Sequence, residues 1–181
     1  RELWLTISLI VGSAMLAILF VIREKMVDSP MVRMAMFAPR AVWASLTATF
    51  LSGGALIVAL LAVPLFVNLV LSESPLSGGL TLMRLTIAVA PGVLIGGFLA
   101  TRIGLRTVAV TGMWITVGGF LTVQAWDRDL SEFMRTVPLL LIGFGFGFVI
   151  APLSAAVLQQ VGESERATAA AWLTLSRILG M

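Results

Sequence analysis

PGVLIGGFLATRIGLR, residues 91–106, is an apolar run that stops at two arginines and a glycine, after which a second apolar run begins at once. Lys and Arg resist translocation, so a short turn holding Arg102, Gly104 and Arg106 and no acid is placed on the cytoplasmic face of a membrane. That one turn orients every other span. Gly92 and Gly96 are four apart, share a helix face and let a neighbouring backbone approach closely, while Gly104 can take the positive φ that a tight reversal needs.

Composition points the same way. Hydrophobic residues make up 59% of the 181 residues, charged ones 12%, and the mean hydropathy is +1.06, far from the charged quarter of a soluble domain. The expected class is an all-α membrane protein, a polytopic transmembrane helix bundle. With no Cys and no His, disulfides, thiolate chemistry, Cys/His metal sites and the usual haem ligand are excluded, and neither a metal nor a cofactor is expected. A net charge of +3 scattered over the loops is no nucleic-acid face. No Ser/His, Cys/His or paired-carboxylate arrangement suggests an enzyme.

Residues 1–22 are read as one transmembrane helix, whose apolar run from 3 to 22 is long enough to cross about 30 Å of hydrocarbon. The run is too long for a signal peptide and lacks a cleavage site. The sequence opens on Arg1 and not Met, which is read as the interior of a longer or processed polypeptide. Residues 23–40, Met-rich and interrupted by Pro30 and Pro39, are expected to lie along the cytoplasmic membrane surface as an interfacial linker. Residues 41–181 form the remaining bundle, with spans expected at about 41–72, 82–102, 107–125 and 137–161, and an incomplete one at 166–181.

Within these spans some residues stand out. Pro91 interrupts the third span and predicts a kink. Arg84 lies two residues inside the predicted start of that span, where it either snorkels to the headgroups or lines a pathway. Asn68, beyond Pro64 in the second span, either bonds to a neighbouring helix or meets substrate. Trp114 in the fourth span is read as core packing or, alternatively, cavity lining. GFGFGF, residues 143–148, alternates like a strand, but a lone strand in lipid leaves its backbone unpaired, so a helix is expected, with Gly143 and Gly147 forming a second close-packing face ahead of Pro152. Arg177 lies about 16 Å along its helix from Arg166, near the midplane if that helix spans.

Charge balance agrees with this topology. Arg23, Lys25, Arg33, Arg40, Arg102, Arg106 and Arg166 fall inside, against Arg1, Arg128 and Arg135 outside. Trp4, Trp43, Trp126 and Trp172 fall near membrane ends, as interface anchors do.

The string GGFLATRIGLR resembles the cytoplasmic loop signature of the major facilitator superfamily, matching it at Gly97, Arg102, Gly104 and Arg106. Thr101 stands where that family usually has an acid and Leu105 where a second base is common, which suggests the C-terminal repeat. VPLFVNLVLSESPLSGGL, residues 63–80, resembles the seventh core helix and following Gly-Ser-rich loop of the fourteen-span drug:proton antiporters, with Pro64, Phe66 and Asn68 matching in kind. The glycine-rich helix before Pro152 and the tail Thr174, Arg177, Gly180 resemble later helices, Thr174 replacing a common Asn. The resemblance implies part of the C-terminal half of a major facilitator in a bacterial inner membrane, with the remaining helices as its partners and a small amphipathic compound as a substrate exported against protons. All nine acids lie in loops or at span ends, so a coupling carboxylate is expected elsewhere in the intact protein. The alternative is a non-transporting membrane subunit packed by its glycine faces against neighbouring subunits. Asn68, Arg84, Trp114 and Arg177 are the candidate pathway residues.

Overall fold

A computed structural model describes residues 2–26, 34–124, 126 and 131–181. Among the described residues there is no strand, and the long elements are α-helices: α1 (Glu2–Met26), α2 (Arg40–Leu65), α3 (Pro75–Ile103), α4 (Leu105–Val123), α5 (Glu132–Leu158) and α6 (Arg166–Gly180). The stretches 40–70, 75–103, 105–123 and 132–158 are each long and apolar enough to cross a membrane. The molecule is thus an integral membrane helix bundle. Every described side chain of α1 is exposed.

α5 is the centre. It buries more of its surface than any other span, because its glycines let a neighbour approach on two sides. On one side a Cβ at Gly143 would land on the Leu85 carbonyl of α3, and one at Gly147 on that of Val89. Gly92 and Gly96 of α3 reciprocate, their faces lying on the Phe144 and Phe148 backbone, so the two glycine pairs meet. On the other side Gly145 abuts Thr116 of α4, while Gly112 and Gly119 of α4 receive Val149 and Ile142. Backbones this close gain dispersion contacts that lipid cannot match. GFGFGF therefore works as a helix with glycine on both flanks and Phe146 and Phe148 buried beside them.

α3 begins seven residues before the expected start. The Gly-Ser-rich segment expected as a loop is the first two turns of the helix, because Ser74 caps it through Ser77 N and Pro75 occupies the first turn, where its missing N–H costs nothing. Arg84 is consequently in the third turn and not two residues from the end. α3 runs through Pro91 to Ile103, and Gly104 alone, at φ 94°, separates it from α4. The fourth and fifth spans are also shifted toward the N-terminus of their expected ranges, to 105–123 and 132–158.

α2 ends in a π-helical turn, Phe66–Val70, closed by Leu71 N donating to the Phe66 carbonyl at 3.2 Å. Pro64 lies just before it and cannot donate to Leu60. α6 crosses α2 where Gly53 meets the Arg177 backbone and Gly180 meets the Phe50 carbonyl. The Ser176 hydroxyl donates to the Leu46 carbonyl at 2.8 Å, tying the two helices together. Of the connector before α2, residues 27–33 lie outside the described ones. Met34–Phe37 forms a 3-10 turn whose Met36 is buried with Val42, Leu46, Val157 and Leu173, which seats this end of the connector against the bundle. Asp127, Arg128 and Asp129 of the expected outer loop, and Arg1, also lie outside the described residues.

Candidate functional site

The polar side chains inside this bundle fall into separate groups. At the end opposite Gly104, Arg84 reaches across to α5, donating to Thr136 Oγ1 at 2.7 Å and pairing with Glu132 at 3.1 Å. Arg135 pairs with Glu73 at 2.9 Å, which joins α5 to the segment ahead of α3. Both pairs bridge helix ends. Arg84 thus has hydrogen-bonding and ion-pair partners within this chain. Glu132 is 79% exposed, so Glu132→Gln should move the thermal unfolding midpoint little, a cost under about 1 kcal/mol. Thr136→Val should cost more, about 1 kcal/mol, since it strips an interhelical hydrogen bond. Fluorescence-monitored melting of the purified protein would rank the two, and the reverse order would refute the assignment.

Asn68 sits in the π-helical turn against α3, where a Cβ at Gly78 would come within 2.7 Å of its Oδ1. The cross-helix contact is there, but the hydrogen bond is not: Oδ1 is buried with no partner among the described residues. A buried acceptor without a donor is destabilising, and π-turns of this kind frequently mark functional sites. Asn68→Leu, close in volume and free of polar atoms, is expected to raise stability by about 1 kcal/mol. A fall in melting temperature would show that the amide has a donor.

Arg177 is half-buried at the α2–α6 crossing, with its Nε buried and unpartnered. Gly53, which it abuts, lies about 20 Å from the start of α2 at 1.5 Å per residue, well inside a 30 Å hydrocarbon layer. Trp114 is 70% exposed and faces away from this bundle, so it takes no part in the core that these helices form. The described contacts link none of the four candidates to another. At the Gly104 end, Arg102 lies over the Phe98 ring at 5.3 Å, and Thr101 turns its hydroxyl back to the Phe98 carbonyl at 2.7 Å. Gly97 merely touches Ala151.

Sequence reasoning passed over Ser176, Glu73, Thr136 and Gly53. It also missed a cavity of about 500 Å³ between α2, α4 and α5, lined in part by Ser45, Arg106, Met113 and the Gln159–Gln160 pair. A mid-span Gly-Gly doublet was the available signal for Gly53; the cavity had none, since its walls come from three separate stretches, residues 41–48, 105–113 and 152–160.

No family model matches the chain. It is similar along nearly its whole length to several mycobacterial proteins. It is 34% identical over 185 residues to a triacylglyceride transporter of Mycolicibacterium smegmatis, covering 97% of this chain and 33% of that protein. To a triacylglyceride transporter of Mycolicibacterium hassiacum it is 33% identical, covering 96% and 34%, and to a probable triacylglyceride transporter of Mycobacterium leprae 30%, covering 97% and 36%. The chain thus spans about a third of the length of the curated relatives it matches.

Proposed function

We propose that the chain is part of a secondary transporter of the major facilitator type, contributing helices of its C-terminal half, that exports lipophilic compounds across the inner membrane in exchange for protons. The observation that carries this reading is the similarity of 96–97% of the chain to proteins named triacylglyceride transporters, in a molecule whose helices are apolar enough to span. Glycerolipids bearing long acyl chains are the substrate class that follows. The cytoplasmic-loop residues Gly97, Arg102, Gly104 and Arg106 support the superfamily assignment, and the departures at Thr101 and Leu105 support the second half.

Arg177 is the side chain here best suited to the transport step. A guanidinium held inside the hydrocarbon layer needs an anion, and all nine acids of this chain lie outside the spans or at their ends. The proton-carrying carboxylate then belongs to the rest of the intact protein, facing Arg177. No catalytic chemistry is assigned to the chain.

The test is transfer of a fluorescent triacylglyceride out of proteoliposomes holding the full natural protein. Transfer above that of empty liposomes, accelerated by an imposed pH gradient, is expected. Transfer indifferent to the gradient would remove the proton coupling, and no transfer under either condition would sink the transport reading.

A further inference from the structure

The cavity between α2, α4 and α5 has a chemistry that transport does not explain. Its walls are the first three turns of α2, the first three of α4 and the last turns of α5, so it opens beside the Gly104 turn. Deep in, the walls are apolar: Ala48, Ala109, Met113 and Leu153. At the mouth are Arg106, Gln159 and Gln160, and no acid takes part in the lining.

Three features make that mouth an anion site. Arg106 makes no ion pair among the described residues, although it reaches the cavity. The Ser45 residue is 5% exposed, lines the cavity, and its hydroxyl has no hydrogen-bond partner among the described residues. Two helices, α2 and α4, begin here without a side-chain cap, on Pro39 and Gly104; the Val42 N–H turns back to the Pro39 carbonyl at 3.0 Å, but the N–H groups of Arg40 and Ala41 and of the first residues of α4 meet no capping side chain at these positive dipole ends. Arg40, the first residue of α2, adds a further positive charge next to Ala41 in the wall.

We infer that this cavity holds a glycerophospholipid with a net negative headgroup, its phosphate at Arg106 and the two helix N-termini and an acyl chain between Ala48 and Met113. A free phosphate would leave the apolar depth empty, and a zwitterionic headgroup would bring a cation to a mouth that offers it no acid. The volume suits part of a lipid and not a whole one. With the Arg102–Arg106 turn on the cytoplasmic side, as proposed above, the lipid comes from the inner leaflet. It is chemically distinct from an uncharged glycerolipid substrate.

The test is native mass spectrometry of the full natural protein released from nanodiscs of equal phosphatidylglycerol and phosphatidylcholine. Wild type should keep phosphatidylglycerol in preference. Arg106→Gln should keep about tenfold less of it, the loss of one charge-assisted phosphate contact. Ala44→Trp, at an exposed position in the wall, should displace the lipid while leaving circular dichroism unchanged. Equal retention of both lipids, or unchanged retention in Arg106→Gln, would overturn the inference. So would indifference to Ala44→Trp, the result expected if other helices of a longer protein fill the wedge. Thermal stabilisation by inorganic phosphate matching that by phosphatidylglycerol would likewise give the site to a free anion. None of these readouts requires transport, so their failure is separable from failure of the transport reading.

Discussion

Gly143→Ala is expected to drive α3 and α5 apart and to lower stability by about 3 kcal/mol, one of the largest effects of a single methyl in this chain. The added carbon would land on the Leu85 carbonyl, with the Ala88 methyl also close at 3.1 Å. Backbone cannot swing aside as a side chain would, and Leu85 is fully buried, so relief requires a shift of the whole helix. Gly118→Ala supplies the control, because a Cβ there meets nothing within 4 Å. That exchange should be neutral or stabilising by up to about 1 kcal/mol through helix propensity. Thermal unfolding in detergent, followed by size-exclusion recovery of the monodisperse fraction, distinguishes the two. Equal midpoints for both variants would show that the α3–α5 contact is looser than described.

On the transport reading proposed above, Arg177→Met in the full natural protein should abolish most transport while leaving the bundle folded. An aliphatic side chain is kept, the backbone against Gly53 is unchanged, and the buried Nε that lacks a partner here is removed. If the guanidinium faces a carboxylate elsewhere in the intact protein, deleting it strands that charge in low dielectric, a loss of about 2–5 kcal/mol, or at least tenfold in rate. Arg177→Lys keeps the charge but not the planar fork, so partial activity is expected. The measurement is triacylglyceride transfer from proteoliposomes, paired with a melting curve for each variant. A folded Arg177→Met protein with full activity would exclude Arg177 from the transport step.

What could be read from the amino-acid order was what depends on spacing along one helix. Gly92 with Gly96 and Gly143 with Gly147 announce close-packing faces because four residues make about one turn, and a bilayer forces GFGFGF into a helix. Spacing does not say which face meets which. That α5 would put one glycine face against α3 and Gly145 against α4 depends on three helices at once. Segment 74–81 was misread because Ser and Gly look like a loop, although Ser74 followed by Pro75 is itself a helix start. Arg84 moved inward with that boundary and found partners 48 and 52 residues away, beyond the reach of local reasoning. Trp114 shows the limit of composition: an aromatic amid apolar neighbours reads the same whether it points at protein or at lipid.

The placement of α5 between α3 and α4 bears on how the protein is made. During synthesis α3 and α4 leave the ribosome first, joined by Gly104 alone, and most of the surface each will bury belongs to a helix not yet translated. Until α5 arrives, the glycine notches of both helices face acyl chains that cannot fill them as closely as a backbone does. The pair is therefore a loosely packed hairpin until residues 132–158 arrive, and the close packing of this region is completed only by that later helix.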